Sequence, residues 1–159
     1  MTTPPGGWLD PEQQRAWLAF IRLQLRITYE MNRQLQADSG LSLADWDVLT
    51  ALGESAMSVT ALATQIGWER SRVSHQTKRM ATRGLVEMSL ATHDRRVTSV
   101  SLTSAGRAAL EAAAPGHVEL VRSLVFDGLD PAVVRQLAEG LETIFENVLS
   151  RGSLPRPPL

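Results

Sequence analysis

Apolar positions recur every three or four residues along most of this chain, and every second residue in only one stretch. Asp10-Pro11 opens the first helical run, with Asp suited to the N-cap and Pro to the first helical position. The run lasts to about Ala37, roughly 40 Å at 1.5 Å per residue. It carries two apolar stripes, one of Phe20, Leu23, Ile27 and Met31, the other of Trp17, Ile21, Leu25 and Thr28. Two stripes call for two packing partners. Gly40 suits a left-handed stop. Ser42 and Asp45 then form a variant capping box ahead of Trp46, Leu49 and Leu52, and Gly53 closes this short helix.

Ser58 caps a third helix with Leu62, Ala63 and Ile66 on its apolar face and Gly67 at its end. The next helix starts at once. Trp68 precedes the cap, Glu69 occupies it, and Val73 stands where a hydrophobic staple to Trp68 needs it. Val73, Thr77, Met80 and Ala81 face inward, and Gly84-Leu85 ends the helix. Two short helices joined by a Gly-containing turn make a helix-turn-helix. From Val86 the period falls to two. Val86, Met88 and Leu90 alternate with polar or small residues, and Val100 and Leu102 do so on the return, so the segment predicts a two-stranded hairpin. A hairpin directly after a helix-turn-helix is a wing.

Thr103 caps a helix running to about Phe126, which Pro115-Gly116 should kink or split. Asp130-Pro131 opens the last helix. There Val134, Leu137, Leu141, Ile144 and Val148 keep a spacing of three and four, the seam of a helix lying along a partner. The predicted fold is mainly α, a winged helix-turn-helix with a two-stranded β wing plus a helical lobe from the terminal helices. Residues 42–103 are expected to form the winged helix-turn-helix lobe, residues 10–37 and 104–150 the helical lobe, and residues 1–9 and 151–159 flexible tails.

The net charge of −1 would argue against a polyanionic partner, but its distribution reverses that inference. From Arg70 to Arg107 there are eight basic residues against two acidic, while the remainder of the chain holds eight basic against fifteen acidic. A basic middle between acidic ends is a footprint for binding nucleic acid on one surface. The alternative is a solvated basic face. The chain has no cysteine, which removes disulfides, thiolate metal sites and thiol redox chemistry. No apolar run is long enough for a membrane span and no secretory leader is visible, so the cytoplasm is the expected compartment and no membrane partner is expected.

With these residues in order, the chain resembles the MarR family of bacterial transcription regulators. The resemblance is carried by Leu62-Ala63, by Arg83-Gly84-Leu85-Val86 at the helix-to-strand junction, and by Asp94-Arg95-Arg96 in the wing. Val100-Ser101-Leu102-Thr103 and Gly106-Arg107 follow the wing as in that family. The resemblance spans about Ala16 to Leu149. It implies a homodimer with intertwined terminal helices that represses or activates through a palindromic operator, with release by a small aromatic or anionic effector in many members. It also implies that Asp94 and Arg96 pair to fix the wing loop. Glu69 departs from the small N-cap usual in the family, and the missing cysteine removes the thiol switch some members use.

On the second helix of the motif, Arg70, Ser71, Arg72, Ser74 and His75 fall in the half that meets base edges, and Lys78 and Arg79 fall where phosphate lies. Arg83 would touch phosphate or neutralise the helix end. Arg95 and Arg96 suit a narrow minor groove, with Asp94 orienting them. Arg26, Tyr29, Met31 and Trp46 would line an effector pocket between the lobes, with core packing the simpler account of Tyr29 and Trp46. His75, His93 and His117 are too scattered for a metal site, and no cofactor is implied; His117 suits a helix face between lobes or subunits, where it would respond to pH. No phosphate loop or nucleophile elbow supports an enzyme. The rival reading is a winged-helix dimer that has lost DNA binding and serves as a protein-interaction module. It predicts an acidic or apolar second helix, whereas this one is basic and polar.

Overall fold

The computed structural model describes residues 8–90 and 97–157. The order is α1 (Pro11–Ser39), α2 (Leu43–Leu52), β1 (Met57–Ser58), α3 (Val59–Ile66), α4 (Arg70–Thr82), β2 (Val86–Leu90), β3 (Thr98–Leu102), α5 (Ser104–Val121) and α6 (Pro131–Arg151). Both capping boxes form: Asp10 with Gln13, and Ser42 with Asp45. Gly40 and Gly67 end α1 and α3 in the left-handed conformation that only glycine adopts without strain.

The core lies where α2, α3 and α4 meet the sheet and the α1–α5 pair. Leu35, Leu41, Val48, Leu49, Leu52, Leu62, Val73, Met80 and Val100 are sealed from solvent there. The sheet departs from the predicted hairpin. It has three strands in the order β1-β3-β2, because Met57-Ser58 pairs antiparallel with Val100 and Ser99. A two-residue strand is too short to show a period. Val86 pairs with Leu102 and Met88 with Val100, as the alternation requires. Val86 is buried and Leu90 exposed, so the apolar face of β2 runs off the core toward the wing tip.

The junction from β3 into α5 gives the motif Leu102-Thr103-x-x-Gly106 a physical meaning. The Thr103 hydroxyl donates to the Gly84 carbonyl at 2.6 Å and accepts the Gly106 amide at 2.9 Å. A methyl group at Gly106 would sit 1.9 Å from the Leu85 carbonyl oxygen, so only hydrogen fits. Pro115 does not split α5, which runs unbroken through it; the irregularity comes later, as a wide π turn over Arg122–Phe126. An exposed proline forfeits one hydrogen bond, while α1 packed along α5 holds the helix in line. Gly116 permits that approach: a methyl there would meet Asp38 Oδ2 at 2.8 Å and Gln34 Nε2 at 2.9 Å.

Where the sequence predicts a loose C-terminal tail, residues 153–157 fold back. Arg156 pairs with Glu146 of α6 at 2.8 Å, and Leu154, Pro155 and Pro157 line a cavity shared with Ile66 and Gly67 at the end of α3. The outer faces of α1 and α6 find no such cover. Trp17, Phe20, Leu23, Leu25 and Tyr29 on α1 are exposed, as are Leu137, Leu141, Ile144 and Val148 on α6.

Candidate nucleic-acid interface

The second helix of the motif is α4, and four of its side chains decide how it sits. Val73, Gln76, Thr77 and Met80 are buried. At 100° per residue they form one face, so Ser71, His75, Lys78 and Thr82 point away from the protein, and each is exposed. The flanks differ. Arg70, Ser71, Ser74 and Lys78 line an open groove together with Val59, Met88 of β2 and Thr98 of β3. Arg72 and Arg79 take the opposite flank. There the Arg72 guanidinium lies 3.8 Å over the Trp68 ring, a cation–π contact. The nearby Asp47 carboxyl is pushed up by burial, and the Arg72 charge opposes that shift.

Glu69 is the N-cap of α4, but its carboxylate accepts no amide of the first turn. Trp68 packs on the buried cluster that contains Val73, as a staple would. Two cations of the basic middle are engaged in ion pairs within the chain. Arg83 donates to Asp45 Oδ2 at 2.7 Å and to the Gly40 carbonyl at 3.0 Å, so it ties α4 to the end of α1, a role its sequence position did not reveal. Arg107 pairs with Glu54. Among the described residues, the basic groups left on α4 without an ion pair are Arg70, Arg72, Lys78 and Arg79. His93, Asp94, Arg95 and Arg96 lie outside the described residues.

A sequence profile of the MarR family matches residues 39–97. The chain is 32% identical over 133 residues to the HTH-type transcriptional repressor IacR of Pseudomonas putida, covering 83% of this chain and 77% of that one. The chain belongs to the MarR family. It is therefore a transcriptional regulator and not an enzyme. Its fold is close to that of Sco3205, a MarR family transcriptional regulator from Streptomyces coelicolor solved in complex with DNA: TM-score 0.86, 32% identity, 97% of this chain and 99% of that one. AbsC, a MarR family regulator from the same organism, matches with a TM-score of 0.81 and 32% identity over 89% of this chain and 97% of its own.

Within this MarR chain the four residues read as an effector pocket are spread over α1 and α2. Tyr29 and Arg26 are exposed on α1 and Met31 is half-buried there, while Trp46 lines a shallow groove with Asp47, Thr50, Ala51, Gln65 and Ile66. Trp46 also packs on His117, ring centroids 4.4 Å apart. The sequence sets His117 on a helix face between lobes or subunits, and on α5 against Trp46 of α2 it does lie between the two lobes; it is buried there, and burial lowers its pKa from the ordinary imidazole range. His117 Nδ1 and Gln34 Oε1 are buried and meet no hydrogen-bond partner among the described residues. No three His, Asp or Glu side chains gather into a metal-holding group among the described residues, and none of the described helices is long and apolar enough to cross a membrane.

Proposed function

We propose that two copies of this chain pair through α1, α5 and α6 and present their two α4 helices to successive major grooves of a palindromic operator, where the dimer acts as a repressor. The observation that carries this reading is the outward face of α4. Arg70, Ser71, Ser74 and Lys78 converge on the groove between α4 and the sheet, with no apolar side chain on the exposed surface of the helix. Arg and Ser there have donors and acceptors for base edges, and Lys78 and Arg79 have charge for phosphate. A protein-interaction module would place acidic or apolar groups on that face. Pairing is supported by the exposed apolar stripes of α1 and α6, which have water on them in a single subunit. Repression is supported by the likeness to a repressor, and action in the cytoplasm follows from a DNA partner.

Release by a small aromatic or anionic effector belongs to the same reading. Its support is the corner of α1, α2 and α5, where Trp46 offers a ring and His117 Nδ1 and Gln34 Oε1 have unused hydrogen-bonding capacity. The test is selection of bound duplexes from a random pool at fixed salt, repeated with candidate aromatic acids. The expected result is one enriched palindrome, with enrichment that falls when the effector is added. Recovery of unselected sequence would overturn the reading.

A further inference from the structure

Asp45 is a carboxylate with 2% of its surface exposed, and its bonds reach well beyond the helix cap it completes. Its Oδ1 accepts from Gln76 Nε2 at 2.7 Å. Its Oδ2 accepts from Arg83 Nη1 at 2.7 Å and from the Ser42 amide at 2.8 Å. Gln76 stands in the middle of α4 and Arg83 is its C-cap, so the carboxylate grips α4 at two points about 10 Å apart along its axis. Arg83 Nη2 continues to the carbonyl of Gly40, the residue that caps α1. One buried group thus joins the end of α1, the start of α2 and two places on α4.

Capping α2 needs only the Ser42 amide. The arms to Gln76, which is buried, and to Arg83, whose side chain keeps contact with water, go beyond that need, and they add direction. Contacts at Val73, Thr77 and Met80 set which face of α4 is inward, but apolar contacts are not directional and resist a small roll only weakly. Two hydrogen-bonded anchors remove that freedom.

We propose that Asp45 is a positioning residue for operator recognition: through Gln76 and Arg83 it fixes the roll of α4 against the α1–α2 corner, and so aims Arg70, Ser71 and Ser74 at base edges. This rests on the DNA reading above. Hydrogen bonds to base edges demand aim, whereas charge attraction to the phosphate backbone is independent of sequence. Loosening the anchor therefore costs selectivity and spares non-specific binding.

The experiment measures dissociation constants of the full chain for the selected operator and for a random duplex of equal length, at one salt concentration. Wild type is compared with D45N, Q76L, R83M and R83K, each shown folded at the assay temperature by circular dichroism. We expect D45N, Q76L and R83M to lower the ratio of specific to non-specific affinity about tenfold, with non-specific affinity within about twofold of wild type. R83K keeps the charge but cannot span Asp45 and Gly40 together, so its ratio falls in between. Equal losses on both duplexes would overturn the proposal, marking the network as general support or Arg83 as a phosphate contact; so would an unchanged ratio. Should D45N not fold, R83M decides, since the Arg83 side chain is 42% exposed. A wild-type chain that prefers no duplex sinks the DNA reading, and the proposal with it, before any variant is compared.

Discussion

Arg72 and Lys78 lie on one helix but face different tasks. Lys78 points outward over the groove, and Arg72 is held on the ring of Trp68. Replacing Lys78 with alanine should weaken binding to all duplexes alike and reduce the slope of log K against log salt by about one per subunit. Replacing Arg70, which lines that groove, with alanine should cost about 1–3 kcal/mol on the operator and relax preference at one base pair per half-site. Titrations against single-base operator variants separate the two outcomes. Stability at low pH carries a second residue-scale signature. The His117 pKa is lowered by burial, so the neutral ring's contribution is complete above the unfolded value of 6.5 and falls away as pH drops below it. Burial would raise the Asp45 carboxyl, but its bonds from Arg83 and Ser42 outweigh that and hold it below its ordinary value. Its contribution is present above 3.8 and is lost as pH falls through its depressed folded value. Urea melts should therefore show stability declining first below about pH 6.5 and again below about pH 4, and His117→Phe should flatten the first decline. The outward residues of α4 were legible from spacing because Val73, Thr77 and Met80 define the inner face. Gln76 completes that face, yet a buried amide is visible only once Asp45 is known to sit opposite. That pairing is 31 residues apart in sequence, beyond the reach of any local period.

Among the elements, caps and periods carried most of the information. Asp10, Ser42, Ser58, Thr103 and Asp130 each cap the helix their spacing predicts. The features that escaped depend on neighbours. Strand β1 is a strand only because β3 runs beside it. Pro115 keeps its helix because α1 supports α5. Two glycines of α5 allow a clean comparison. Alanine at Gly106 meets backbone at Leu85, so the α5 start must shift. Alanine at Gly116 meets only the ends of the Asp38 and Gln34 side chains, which can move aside. Gly106→Ala should cost about 1–3 kcal/mol through overpacking. Gly116→Ala should be close to neutral, because alanine favours a helix over glycine by about 1 kcal/mol. Thermal melts of the two variants check this, and equal losses would contradict the close approach at Leu85.

As a whole, a single copy is a packed winged helix joined to helices that lack cover. The contrast between the sealed core of α2–α4 and the exposed stripes on α1 and α6 is the observation on which the proposed pairing rests. Sedimentation should give a particle of twice the 17.4 kDa chain mass, and charged substitutions at Leu141 and Ile144 should dissociate it. A stable single-chain species would remove the basis for twin recognition helices. The most direct measurement is binding to the selected operator with base pairs inserted between its half-sites. Paired subunits with α4 helices one duplex turn apart predict loss of specific binding when about five base pairs, half a turn, are added. Affinity that ignores the insertion would contradict the account.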